Sequence, residues 1–269
     1  MTESPERPAL QARVSNRLSR YFSVTPFRLR NERPMVSFTF DDFPESAATD
    51  GVSILDQYNA KATFYVSGSL VDKPDEHWQG VSADGIVELH RHGHEIACHT
   101  FSHQPATELD ATRLAREIEQ NRIYLHGIDP SIRMDNFAYP YGLGSVWRKA
   151  QLAKAFRSSR GIIPGINSGV VDLQYLRATP LINRNIDEEG IDRAFDAAVD
   201  ANGWLIFYGH DVTARPSPFG CTPSLLRYAL DAAAKRNVAV KTVAGALDTA
   251  GAAEADVALR NRGTSAETA

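Results

Sequence analysis

The sequence predicts an α/β fold, a parallel sheet or (β/α) barrel of about seven strands. Three observations predict it. Short runs rich in β-formers alternate with helical patterns from residue 35 to about 245. Four of those runs end in chemically able side chains: Asp41-Asp42, His99, Tyr139-Pro140-Tyr141 and His210. In a barrel all such ends converge on one face. Finally, 269 residues with 43% hydrophobic content suffice for one large core.

Taken in order, residues 1–33 are polar, rich in Arg and Pro, and read as a partly loose N-terminal extension with a short helix over 10–22. Residues 34–250 form the barrel domain, and from 251 to 269 the composition turns to Ala, Glu, Arg and Thr, a flexible tail. Met35 to Phe40 is an apolar strand that delivers Asp41 and Asp42 before Phe43-Pro44 stops it. Residues 46–58 suit a helix, 62–66 a second buried strand and 84–92 a helix that Gly93 terminates. Glu95 to His99 is a third strand. Residues 110–126 are an amphipathic helix with Leu114, Ile118 and Leu125 on its apolar side. Residues 136–142 form a fourth strand running into a turn at Pro140, and 145–156 a helix.

The stretch 161–185 is the least regular, with a strand expected over 176–182. Residues 187–200 read as a helix, 204–208 as a strongly apolar strand ending at Gly209-His210, and 222–235 as a helix with Thr222 as N-cap and Pro223 at its first position. Residues 238–243 are the last strand expected.

The bulk numbers exclude several classes. A net charge of −4 carries no nucleic-acid footprint and no polybasic membrane patch. Two cysteines make neither a disulfide framework nor a cysteine metal site. No apolar run is long enough to span a membrane, and no secretory h-region is seen, so a cytoplasmic protein is expected.

His99 and His103 lie at i and i+4, a spacing that lets two imidazoles meet one metal ion, with an Asp as third ligand. Such a set leaves positions open for water and substrate. It suits zinc, while cobalt, nickel or manganese fit the same ligands. His90, His92 and His94 are rival ligands around a helix end. His210, after a glycine at a strand end, is placed to act as a general acid near neutral pH. A backbone N–H freed at the Pro140 turn can serve as an oxyanion donor.

Thr39-Phe40-Asp41-Asp42, His99-Thr100-Phe101-Ser102-His103, Tyr139-Pro140-Tyr141-Gly142 and Tyr208-Gly209-His210 resemble, in order and spacing, the motifs of the NodB-like polysaccharide deacetylases. The resemblance covers roughly residues 35–245 and implies a distorted (β/α) barrel and a metal-dependent carbohydrate esterase. It implies that Asp41 is the general base, that Asp42, His99 and His103 are the metal ligands, that His210 is the general acid, and that the Tyr141 backbone N–H helps hold the oxyanion. The implied substrate is an N-acetylated carbohydrate that loses acetate.

The motifs depart from the family in two places. The arginine expected two residues before the Pro of the third motif is Ala138 here. No carboxylate between Gly161 and Pro180 matches the family's partner of the catalytic His, Asp172 being the nearest. We expect Arg177, at the start of a strand, to replace the missing arginine. Two other readings stay open: a metal-dependent hydrolase of a small non-sugar amide or cyclic imide, and a sugar-binding protein without catalysis.

Overall fold

Strand β2 (Met35–Asp41) is the axis of the architecture, buried along its whole length. The computed structural model describes residues 10–252; residues 1–9 and 253–269, which hold nearly all of the expected tail, lie outside it. The elements in chain order are α1 (Leu10–Ser19), β1 (Pro26–Arg28), β2, α2 (Val52–Gln57), β3 (Thr63–Val66), α3 (Ala83–Arg91), β4 (Glu95–Cys98), α4 (Ala111–Ile128), β5 (Asn136–Ala138), α5 (Lys149–Ala155), β6 (Ser158–Arg160), β7 (Val170–Asp172), β8 (Thr179–Pro180), α6 (Glu188–Asp200), β9 (Trp204–Gly209), α7 (Pro223–Lys235), β10 (Ala239–Val240) and α8 (Val243–Thr249).

Seven strands run in the order β6-β5-β4-β3-β2-β9-β8, and β10 also pairs with the start of β2. Every pairing in this sheet is parallel. The two ends of the path are stitched together. Arg160 and Leu176 form a parallel bridge, and the Leu176 and Gly161 N–H groups donate to Ser159 and Leu176 oxygens at 2.9 and 3.0 Å. The sheet therefore curls into a distorted (β/α) barrel, as expected.

Alternation along β2 shows how sequence becomes layers. Val36, Phe38 and Phe40 face outward into the core beneath the helices. Met35, Ser37, Thr39 and Asp41 face the barrel interior, where Trp204 Nε1 donates to Ser37 Oγ at 2.9 Å. Helix α8 closes the bottom: Val243, Ala246 and Leu247 pack on Met35, Trp204 and Ile206. Its first N–H groups donate to Thr63 Oγ1 and Glu95 Oε2 at 2.9 and 2.8 Å. Asn136 Nδ2 donates to Glu95 Oε1 at 2.6 Å. These partners satisfy a carboxylate whose burial pushes its pKa up.

Several expected boundaries shift. Helix α5 begins only at Lys149, because residues 145–148 form turns. The strand expected over 176–182 shrinks to β8 plus the Leu176 bridge. The strand expected over 238–243 stops at Val240, because Thr242 caps α8 by accepting from Gly245 N at 3.0 Å. Within the extension, α1 and β1 are tied to the barrel: β1 pairs antiparallel with β7, and the buried Lys149 ammonium donates to Ser19 and Phe22 oxygens at 2.8 and 2.7 Å and pairs with Asp172. Among the described residues no helix is long and apolar enough to cross a membrane.

Candidate active site

At the C-terminal rim of the barrel, a cleft of about 620 Å³ collects the ends of β2, β4, β5 and β9. Asp41 is the last residue of β2 and is buried. The next two residues, Asp42 (φ 57°) and Phe43 (φ 66°), take left-handed backbone, and Phe43 N donates back to Asp41 O at 2.5 Å. This sharp turn sends the two adjacent carboxylates to different partners. A bulky Phe at positive φ is uncommon and costs strain. Its ring is locked against Phe64, with centroids 4.5 Å apart.

Asp41 pairs with the Arg160 guanidinium. Arg160, the last residue of β6, is fully buried and lies over the rings of Tyr65 and Tyr208, 4.8 and 5.6 Å from their centroids. Aromatic faces and one carboxylate together make burial of this cation tolerable.

Asp42 faces three imidazoles. Its Oδ1 lies 3.0 Å from His103 Nε2 and 3.6 Å from His99 Nε2, and its Oδ2 lies 3.7 Å from His210 Nε2. Burial works against its ionisation. The imidazoles, His103 first, outweigh that and hold its pKa well below the usual carboxylate range.

His99 is fixed by a hydrogen bond between its Nδ1 and the Ala138 oxygen, 2.9 Å. The carbonyl must accept, so Nδ1 carries the proton and Nε2 presents a lone pair toward Asp42. Burial pushes the His99 pKa down to about 4, which favours this neutral form. The segment from His99 to His103 is a turn with left-handed residues at Thr100 and His103, not a helix. Glu117 of α4 pins it, accepting from Phe101 N, Ser102 N and Ser102 Oγ at 3.0, 2.8 and 2.8 Å. Ser67 Oγ holds the His99 oxygen at 2.8 Å.

The geometry fits a metal ion. Ligand atoms of Asp42, His99 and His103 all lie within 4.8 Å of one another. Asp42 Oδ1 is buried and lacks a hydrogen bond of good geometry despite its close nitrogens, which is the environment a cation satisfies.

His210 Nδ1 lies 3.2 Å from the Phe219 oxygen, so a backbone carbonyl takes the orienting place expected of a carboxylate. Asp211 shapes the loop that carries this carbonyl. It accepts from Ser217 N and Oγ at 2.8 and 2.5 Å, and Ser217 Oγ accepts from Phe219 N at 3.0 Å. Gly220 is required there, since a Cβ would come within 2.2 Å of Asp211 Oδ1.

Tyr141 follows Pro140 at φ 57° and is mostly exposed, its ring 4.5 Å from that of His103. Asp41, Asp42, His99, His103, Tyr141 and His210 thus share one cleft. Arg177 does not join them. It is exposed and donates to Pro164 O at 3.2 Å, and the arginine at Asp41 is Arg160. The rival histidines also lie elsewhere. His94 is buried with Nδ1 accepting from Ala62 N at 3.2 Å, and the His92 and His90 rings engage Glu88 O and Ser131 Oγ.

Fold and site together make a (β/α) barrel with a carboxylate- and imidazole-lined cleft at its C-terminal rim. The comparisons agree. The family model described as polysaccharide deacetylase matches residues 28–156. A chitin deacetylase of Colletotrichum lindemuthianum is 25% identical over 197 residues, covering 70% of this chain and 71% of that protein. Its solved structure superposes with a TM-score of 0.58 at 20% identity, covering 81% of this chain and 89% of that chain. A bifunctional xylanase/deacetylase of Pseudobutyrivibrio xylanivorans is 29% identical over 85 residues, 32% of this chain and only 13% of that protein. A family 4 acetyl xylan esterase from Clostridium thermocellum, in complex with a cobalt ion, superposes at 0.56 with 22% identity, covering 80% and 90%. In sequence the chain is thus similar to polysaccharide deacetylases over the residues that the family model matches, and in fold over most of its length.

Proposed function

We propose that the protein is a metal-dependent deacetylase that removes the N-acetyl group from an N-acetylated sugar or glycan. The observation that carries this reading is the split between the adjacent carboxylates: Asp41 engages Arg160, while Asp42 faces three imidazoles. One carboxylate is left to handle a proton and the other to hold a cation. The named activity of the Colletotrichum relative supports the same substrate class.

Asp42, His99 and His103 would hold a divalent metal, zinc by ligand type, with cobalt, nickel or manganese as alternatives. Such a metal supplies a water of lowered pKa and polarises a carbonyl oxygen. Asp41, oriented by Arg160, accepts the proton of the attacking water. The Tyr141 backbone N–H donates to the developing oxyanion, a contribution of ~3 kcal/mol for one such donor. His210, oriented by the Phe219 oxygen, delivers a proton from Nε2 to the leaving amine. Protonation is needed because an unprotonated amine is a poor leaving group.

The reading as a binding protein without catalysis rested on the missing arginine and the missing His partner. Arg160 and the Phe219 oxygen stand in those places. A 620 Å³ cleft with Trp78 in its wall favours a sugar over a small amide or imide. The test is acetate release from a panel of N-acetylated sugars and oligomers by protein stripped of metal and reloaded with zinc or cobalt. Metal-dependent acetate release is expected. Tight metal binding with no acetate from any sugar would turn the assignment to the amide or imide.

A further inference from the structure

Resting on the deacetylase reading, we propose that Arg184 and Lys73 form a subsite for an anionic substituent, a carboxylate or phosphate, carried by the substrate close to the acetamide. One wall of the cleft is a cluster of rings around His210. Trp78 stacks on the imidazole with centroids 5.6 Å apart and planes 25° apart, and Phe219 lies 5.8 Å from the imidazole and 6.5 Å from Trp78. The Arg184 guanidinium sits over Phe219, 4.8 Å from its centroid. It is therefore held by a ring that itself touches the proposed acid.

Arg184 and Lys73 line this cleft, and among the described residues neither has a carboxylate within 4.0 Å. Other arginines are used differently: the exposed Arg193 pairs with Glu189 at 2.5 Å, and the half-buried Arg236 with Asp192 and Asp196 at 2.9 and 2.8 Å. Stacking immobilises a guanidinium while leaving its edge donors free, and those donors match a planar carboxylate or a phosphate.

The carboxylates of the cleft do not neutralise these cations. Asp41 belongs to Arg160 and Asp42 to the imidazoles. Asp75, also in the lining, accepts from His77 N at 3.4 Å. A neutral N-acetylated polymer has no group to engage two unpaired cations. A polymer that alternates N-acetylated sugars with uronic acids does, and so does a sugar phosphate.

The test compares kcat/KM for three probes on the metal-loaded protein. They are a neutral chitooligosaccharide, an oligosaccharide alternating N-acetylglucosamine with glucuronic acid, and N-acetylglucosamine 1-phosphate. Wild type is expected to favour an anionic probe over the neutral one by about tenfold or more, with the advantage shrinking as salt rises. Arg184→Gln and Lys73→Gln should each reduce that ratio severalfold, through KM. Which anionic probe wins identifies carboxylate or phosphate. Equal kcat/KM for neutral and anionic probes, with ratios unchanged in Arg184→Gln, overturns the subsite while leaving the deacetylase reading intact. If no probe releases acetate, the deacetylase reading fails separately, and calorimetric binding of the same probes decides the subsite. Tighter binding of an anionic probe that is lost in Arg184→Gln upholds it, and no difference overturns it.

Discussion

Arg160 and Asp41, 119 residues apart in sequence, form a buried ion pair across the interior from β6 to β2. The pair fixes the carboxylate that the proposed reaction needs as a base. Removing one partner of a buried pair leaves an uncompensated charge. Arg160→Gln should therefore lower stability by about 3–5 kcal/mol in denaturant unfolding and kcat/KM by roughly 100-fold through misplacement of the base. Arg177→Leu, at the rim, should change kcat/KM by no more than about twofold. Equal damage from both variants would contradict this assignment of the arginine.

The placement of His210 against Asp42 and the Phe219 oxygen predicts a dependence on leaving group. His210→Gln should lower kcat on an N-acetylated sugar by about 100-fold or more, the usual contribution of a positioned proton donor. On an activated aryl acetate, whose leaving group needs no proton, the loss should be far smaller. A parallel loss on both substrates would show that His210 does not act as the acid.

His94 predicts a pH effect on stability away from the site. It is buried, its Nδ1 accepts from Ala62 N, and burial lowers its pKa from 6.5 to about 4. Its folded pKa lies below the unfolded one, so the unfolded chain takes up the proton first. The stabilising contribution is complete above pH 6.5 and is lost as pH falls through that window to about 4. The total is at most about 3 kcal/mol at 1.36 kcal/mol per pKa unit. His99 acts in the same direction, so the difference between wild type and His94→Gln isolates His94. Urea unfolding at pH 7.5 and 5.0 should show a smaller drop in the variant, and equal drops would contradict the account.

Much of this was legible in the sequence because the chemistry sits on strands with ordinary patterns. Met35 to Phe40 alternates between the helix layer and the interior and ends in two carboxylates, so β2 and its site residues were readable. His99 and His103 declared themselves by spacing, although the left-handed residues Thr100 and His103 that bring them together carry no sequence signature of their own. Arg160 was not legible. Ser158-Ser159-Arg160 is a polar strand inside the barrel, and its polarity is tolerable only because Asn136, Gln174 and Asp41, distant in sequence, accept its donors. The Phe219 carbonyl carries no side-chain signature at all. Helix α8 was masked by the β-branched run before it, and Thr242 followed three residues later by Gly245 was too slight a capping signal.

The most direct test of the central claim, that adjacent aspartates divide base from ligand, is to measure bound metal and acetate release together in wild type, Asp41→Asn and Asp42→Asn. Asp41→Asn should keep stoichiometric metal and lose acetate release. Asp42→Asn should lose the metal itself, and acetate release with it. Loss of metal in Asp41→Asn with retention in Asp42→Asn, or full turnover in Asp41→Asn, would contradict the division of roles.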